Sequence, residues 1–249
     1  MSDQKKEEKL TRKQMKAAKK AADSIRTDQS GAKDAPLKTV PSVMERKFSD
    51  FTYKFAYLIP ETIHPNVVTT VGIIAGLLGA LCFFFGKFSR WFFIGAIIGL
   101  LIHIVCDNLD GYMARTRNQK SLRGGFFDIM SDTLVCTFTL LFIGLSAYGH
   151  LEFAAFGAPL YGIHMLCTLH YIMIYNEFPF PPFGPFEIHV TYILVAIINL
   201  IFGPITVFHI GTFPVMLLDL IMIPLFIGAA AEVCRMAFTL FFRLKREGR

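Results

Sequence analysis

The chain has 249 residues, 53% of them hydrophobic and 26 of them Phe, with a mean hydropathy of +0.49. That composition excludes an ordinary soluble domain and reads as a polytopic membrane protein. The formal charge of +6 is uneven, with 13 of the 25 Lys and Arg before residue 51, so the basic arm is expected to meet anionic lipid headgroups rather than nucleic acid.

Residues 1–40 are rich in Lys, Ala, Gln and Ser and poor in large apolar residues, which predicts a solvated, disordered arm. No apolar run follows Met1, so no cleaved signal peptide is expected. In segment 41–64, Val43, Phe48, Phe51, Phe55 and Leu58 alternate with charged residues, the pattern of an amphipathic helix lying at a membrane surface. Six apolar runs come next, at about 66–86, 91–114, 125–147, 153–175, 188–208 and 212–241. Each is near the roughly 20 residues that a span requires. The expected fold is therefore all-α: six transmembrane helices in a domain over 65–242, preceded by the interfacial helix and followed by a basic tail, 243–249. Pro214 and Pro224 predict a kinked or interfacial start to the sixth run. Basic residues sit in the arm, in the 115–124 loop and in the tail, which places both termini and that loop on the cytoplasmic side.

The second and third runs carry the chemistry. Asp107, Asp110, Gly111 and Ala114 fall at i, i+3, i+4 and i+7, one helix face. Asp128 and Asp132 are at i and i+4 on the next helix, with Gly124 one turn before Asp128. Carboxylates inside a membrane segment are costly and read as functional. Two packed helices would gather the four into a cluster that repels itself unless cations are present, and such oxygen donors suit Mg²⁺ or Mn²⁺. Four carboxylates can hold two ions about 3.5–4 Å apart, the arrangement used for displacement at phosphorus. The small residues Gly111, Ala114 and Gly124 leave the facing surfaces bare, for a bound group or for close helix contact.

The run Asp107-x2-Asp110-Gly111-x2-Ala114-Arg115-x8-Gly124-x3-Asp128-x3-Asp132 resembles, at every position, the signature of the CDP-alcohol phosphotransferase family. The resemblance implies a six-helix membrane fold, a homodimer, two metal ions held by Asp107, Asp110, Asp128 and Asp132, and Asp132 as general base. It further implies attack by an alcohol hydroxyl on the CDP-linked phosphorus, with release of CMP. Gly111, Ala114 and Gly124 would then floor the cytidine, and Arg115 would grip the diphosphate, although a basic flank of the span is its simpler use. Asn66 and Thr69 open the first span; the resemblance implies a nucleotide contact or a bond to an aspartate, against plain capping. Ser121 is either a nucleotide contact or the N-cap of the third span.

Two substrate pairs compete. One is a CDP-diacylglycerol donor with a small polar alcohol; the other is CDP-choline or CDP-ethanolamine with diacylglycerol. The Asp107-Asn108-Leu109-Asp110-Gly111 run is similar to the choline/ethanolamine branch, but Ile129 stands where that branch has His, and the short chain is more similar to the phosphatidyl-transferring branch. Outside the enzyme class, a divalent-cation transporter also uses intramembrane aspartates, but would want them at the bilayer midplane. The five Cys show no metal-ligand spacing and read as small buried hydrophobes, and His164 and His170 as satisfied core groups. The Pro- and Phe-rich loop 176–189 reads as an interfacial anchor, or as part of the acceptor's path through Glu177, Glu187 or His189. Asp219 has no partner in sequence, while Glu232 and Arg235 are spaced to pair.

Overall fold

A computed structural model describes residues 37–38, 43–175, 177–178 and 184–248. The expected arm, apart from Leu37–Lys38, residues 41–42 of the expected interfacial helix, and residues 176 and 179–183 of the Pro- and Phe-rich loop lie outside these. Leu37–Lys38 (β1) pairs in parallel with Glu177–Phe178 (β2). Helix α1 spans Val43–Thr52 and passes into a 3₁₀ turn, Tyr53–Leu58. Six long helices follow: α2 (Pro65–Phe85), α3 (Phe92–Thr116), α4 (Leu122–Gly144), α5 (Leu151–Tyr175), α6 (Pro185–Phe202) and α7 (Leu217–Arg246). Five of them, all but α5, are long and apolar enough to cross a membrane. The remaining helix, α5, is as long as α3, but Pro159, His164, His170 and three tyrosines dilute its hydropathy. The chain is an all-α polytopic membrane protein.

One expected boundary is wrong. The fifth run does not continue to residue 208, because Gly203, at φ 72°, and Pro204 stop α6. Thr206–Ile210 (β3) and Phe213–Met216 (β4) form an antiparallel hairpin instead, turning at Gly211 with φ 62°. β-Branched and aromatic residues in this stretch favour extended backbone, and apolar content alone does not separate a short strand from a helix end.

Helix α1 docks through polar as well as apolar contacts. Ser49 Oγ donates to Asn108 Oδ1 on α3 at 2.6 Å, and Phe48 packs on Phe186. The other described residues of the expected apolar face, Phe51, Phe55 and Leu58, are exposed. Behind α1, Arg117 donates to three carbonyl oxygens, those of Ile59, Pro60 and Ile63, and so ties the segment before α2 to the end of α3.

The bundle closes most tightly where α2 meets α3. A side-chain carbon at Gly99 would lie 2.5 Å from the Ala75 carbonyl oxygen and 2.6 Å from Gly79 Cα. Gly76 similarly abuts Val135 of α4 and the ring of His103 on α3. These glycines let the backbones approach closely, as small residues do at membrane helix interfaces. Beyond this contact, Phe93, Leu100, Val135 and Ala196 are among the fully buried residues of one apolar core shared by α3, α4, α5, α6 and α7.

Asp219, which lacked a role in the sequence, is a fastener at the start of α7. Its carboxylate accepts from the Met216 N–H at 2.9 Å, from the His150 N–H at 3.2 Å and from His150 Nδ1 at 2.6 Å. It thereby joins the α4–α5 connection to the α7 N-terminus, where a negative charge also suits the helix dipole. Glu232 and Arg235 do pair, on the exposed side of α7.

Two substitutions test this packing. Gly99→Val is expected to cost at least about 3 kcal/mol, because backbone rather than a flexible side chain must yield; the melting midpoint of the detergent-solubilised protein reads it. Asp219→Ala removes three hydrogen bonds from a buried carboxylate and is expected to lower the same midpoint by about 5 °C.

Candidate active site

Helices α3 and α4 are joined by residues 117–121, each ends or begins at this loop, and both pack against α2. Ser121 takes the N-cap of α4: its Oγ accepts from the Gly124 N–H at 3.0 Å. Asn118, at φ 52°, makes the reversal that an Asn side chain tolerates. The turn therefore sets the phase of α4 against α3, and with it the facing of their aspartates.

Asp107, Asp110 and Asp128 come together. Each offers a carboxylate oxygen, and the three atoms all lie within 4.8 Å of one another. Asp110 is buried, while Asp107 and Asp128 are partly exposed. Two unit negative charges at that separation repel by about 3.5 kcal/mol at an effective dielectric near 20. Three hard oxygen donors with this repulsion to relieve fit a divalent cation. Asp132 stays within electrostatic reach of Asp107 and Asp110 but is not among the three carboxylates that lie within 4.8 Å of one another. It lies one turn deeper along α4, and its Oδ1 faces His103 Nε2 at 3.4 Å.

The other predicted residues surround the group unequally. Thr69 is buried and its hydroxyl donates to Asp110 Oδ2, orienting that carboxylate from α2. Asn66 stands at the α2 N-terminus, where its backbone N–H is capped by His64 Nδ1. A side chain at Gly124 would come within 3.6 Å of Asn66 Oδ1, so the Asn66 side chain reaches the bare first turn of α4. Arg115 folds back along α3. Its Nη1 lies 3.2 Å from where a side-chain carbon of Gly111 would be, and its Nη2 donates to Tyr53 Oη at 3.2 Å. Tyr53 in turn stacks on Tyr112, with ring centroids 4.4 Å apart. Ala114 sits between, partly exposed. Lys120 and Arg123 are exposed. Within 176–189, Glu187 Oε2 accepts from the Gly184 N–H at the start of α6, while its Oε1 is buried without a hydrogen bond.

His103 and Cys136 escape the reading of the sequence as site residues, while His189 enters there only for the acceptor's path. His103 is one helical turn before Asp107, Cys136 one turn after Asp132, and His189 opens α6; all three line the space beneath the carboxylates. The i, i+4 spacings of the first two were a visible signal. His189 is visible only as a polar residue near the Pro- and Phe-rich loop, and the packing of α6 against α3 brings it to this space.

Thr69→Val keeps the shape and removes the hydrogen bond to Asp110. A carboxylate freed of its orienting partner is expected to lose roughly tenfold in divalent-cation affinity. Isothermal titration of the solubilised protein with Mn²⁺ measures it.

Comparison with curated proteins finds no match. A family model described as CDP-alcohol phosphatidyltransferase matches residues 62–242, which contain every aspartate of this site and all six long helices save the last residues of α7. That span is well over half of the chain, and it makes this protein a member of the CDP-alcohol phosphatidyltransferase family, transferases of substituted phosphate groups in phospholipid synthesis.

Proposed function

We propose that the protein transfers a phosphatidyl group from CDP-diacylglycerol to the hydroxyl of a small polar alcohol and releases CMP. The observation that carries this reading is the convergence of Asp107, Asp110 and Asp128 within 4.8 Å at the ends of two apolar helices. These three would be the principal ligands for Mg²⁺ or Mn²⁺, with Asp132 sharing in a second ion. When bound, such a cation neutralises charge on the diphosphate and on the departing CMP.

The chain's own residues do the rest. Asp132 accepts the proton of the attacking hydroxyl as the new oxygen–phosphorus bond forms and the bond to the CMP oxygen breaks. A carboxylate base suffices because the developing charge is met elsewhere in the site. Arg115, already turned over Gly111, swings from Tyr53 to the diphosphate and offers a planar pair of N–H donors. Gly111, Ala114 and Gly124 floor the cytidine, with Asn66 and Ser121 at its edge, while Thr69 holds Asp110 in place.

Access from the bilayer supports a lipid donor. On α4, Phe126 and Met130 are exposed within a turn of Asp128, so acyl chains can stay in the membrane while the headgroup reaches the carboxylates. Ile129 after the third aspartate favours CDP-diacylglycerol over CDP-choline or CDP-ethanolamine, since the latter branch has His there. The basic loop and tail favour a cytoplasmic site. A homodimer completes the reading that the family suggests.

Purified protein incubated with radiolabelled CDP-diacylglycerol and a panel of polar alcohols is expected to release CMP, and CDP-choline with diacylglycerol is expected to release none; the reverse result overturns the donor assignment. Asp132→Asn is expected to slow CMP release at least 100-fold while CDP still binds. Normal turnover by that variant removes Asp132 from the role of base.

A further inference from the structure

Beneath the three aspartates lie two histidines that the transfer chemistry leaves unused, both close to Asp132. His103 and His189 are each 1% exposed, and their rings lie 4.6 Å apart at 49°. His103 Nδ1 is 3.2 Å from the Gly72 carbonyl oxygen, and His189 Nδ1 is 2.8 Å from that of Pro185. A carbonyl only accepts, so both rings carry a proton on Nδ1. Nε2 is then the atom each ring has left to offer, and that of His189 lies 3.6 Å from Cys136 Sγ. His103 Nε2 is buried, makes no hydrogen bond, and points at Asp132 Oδ1 from 3.4 Å. With His189 it completes a trio, including Asp132, whose donor atoms all lie within 4.8 Å of one another.

Lone pairs converging in a water-poor interior need a positive centre between them. Bonds of about 2.0–2.2 Å to a tetrahedral ion set neighbouring donors roughly 3.4 Å apart, which is the separation seen between His103 and Asp132. An Nδ1–H given to a backbone carbonyl is also how metal-bound histidines are commonly oriented. Two imidazoles and one carboxylate select a borderline ion rather than Mg²⁺. Cys136 adds to that preference: it is fully buried, one turn from Asp132, with Sγ 3.6 Å from His189 Nε2.

We propose that His103, His189 and Asp132 form a second metal site, distinct in chemistry from the three-aspartate group, that takes Zn²⁺ or a similar transition ion with Cys136 as the nearest fourth donor. The ion ties α3, α4 and α6 together under the aspartates. It holds Asp132 by Oδ1 and leaves Oδ2 facing the reaction. The inference rests on the geometry of these side chains and not on the donor or acceptor proposed above.

The test uses the full-length protein in detergent, carried on a tag without histidines, stripped with chelator and titrated with Co²⁺ under excess Mg²⁺ to fill the aspartate group. About one Co²⁺ per chain is expected, with the visible absorption of a four-coordinate site. His103→Gln and His189→Gln are each expected to weaken that binding at least about tenfold, with Asp107→Asn leaving it unchanged. Absence of the band from the wild-type protein, or its persistence in the double histidine variant, overturns the proposal; either result shows that a proton alone bridges His103 and Asp132. Should a histidine variant fail to fold, X-ray absorption of the Co²⁺-loaded wild-type protein decides: imidazole scattering supports the site and an all-oxygen shell overturns it. None of these readouts depends on CMP release, so failure of the transfer reading would leave them standing, and the converse.

Discussion

Everything at this site depends on holding like charges together in a medium that opposes it. Asp107, Asp110 and Asp128 crowd within 4.8 Å at the end of two apolar helices. Water at the membrane edge screens them in part, and a cation relieves the remainder, but neither determines where the side chains point. Helix packing does. The fold therefore works as a clamp that imposes the separation, and the charge it concentrates becomes affinity for a divalent ion.

The clamp is made of small residues and short tethers. Gly79 and Gly99 let α2 and α3 touch backbone to backbone, which brings Thr69 within hydrogen-bond reach of Asp110. Larger residues there would hold α2 off and leave Asp110 without its orienting hydroxyl. At the other side of α3, the α1 segment is bound by Ser49 to Asn108 and by the Tyr53–Arg115 contact, and Arg117 fastens the Ile59–Ile63 carbonyls. Arg115 is thus parked beside the glycine that leaves its backbone bare, near the carboxylates yet engaged elsewhere. An arginine held this way keeps its charge close to the site without neutralising the metal group.

The deeper layer follows the same logic with different donors. Below the three carboxylates, the imidazoles of His103 on α3 and His189 on α6 approach Asp132 of α4, which stands between the two groups. Backbone carbonyls of Gly72 and Pro185 fix the tautomers of His103 and His189, so the orientation of these rings is set by α2 and by the first turn of α6. Asp132 is consequently linked, through His189, to α6, a helix that supplies no carboxylate to the three-aspartate group.

The sequence by itself determined the helices and the faces of α3 and α4, because both follow from local periodicity. Apolar length marks a span, i, i+3 and i+4 spacing marks a face, and Pro65 and Ser121 mark helix starts. Those rules are short-ranged, so they placed Asp107, Asp110 and Asp128 well. Tertiary structure alone decided the rest: the turning of Asp132 toward two histidines, the hairpin at Thr206–Met216, the union of Asp219 with His150, and the use of Arg117 as a tether. Each of these pairs residues far apart in the chain or sets a strand against a helix end of equal apolarity. Such choices depend on which helix packs on which and at what distance, and no repeat along one segment encodes that.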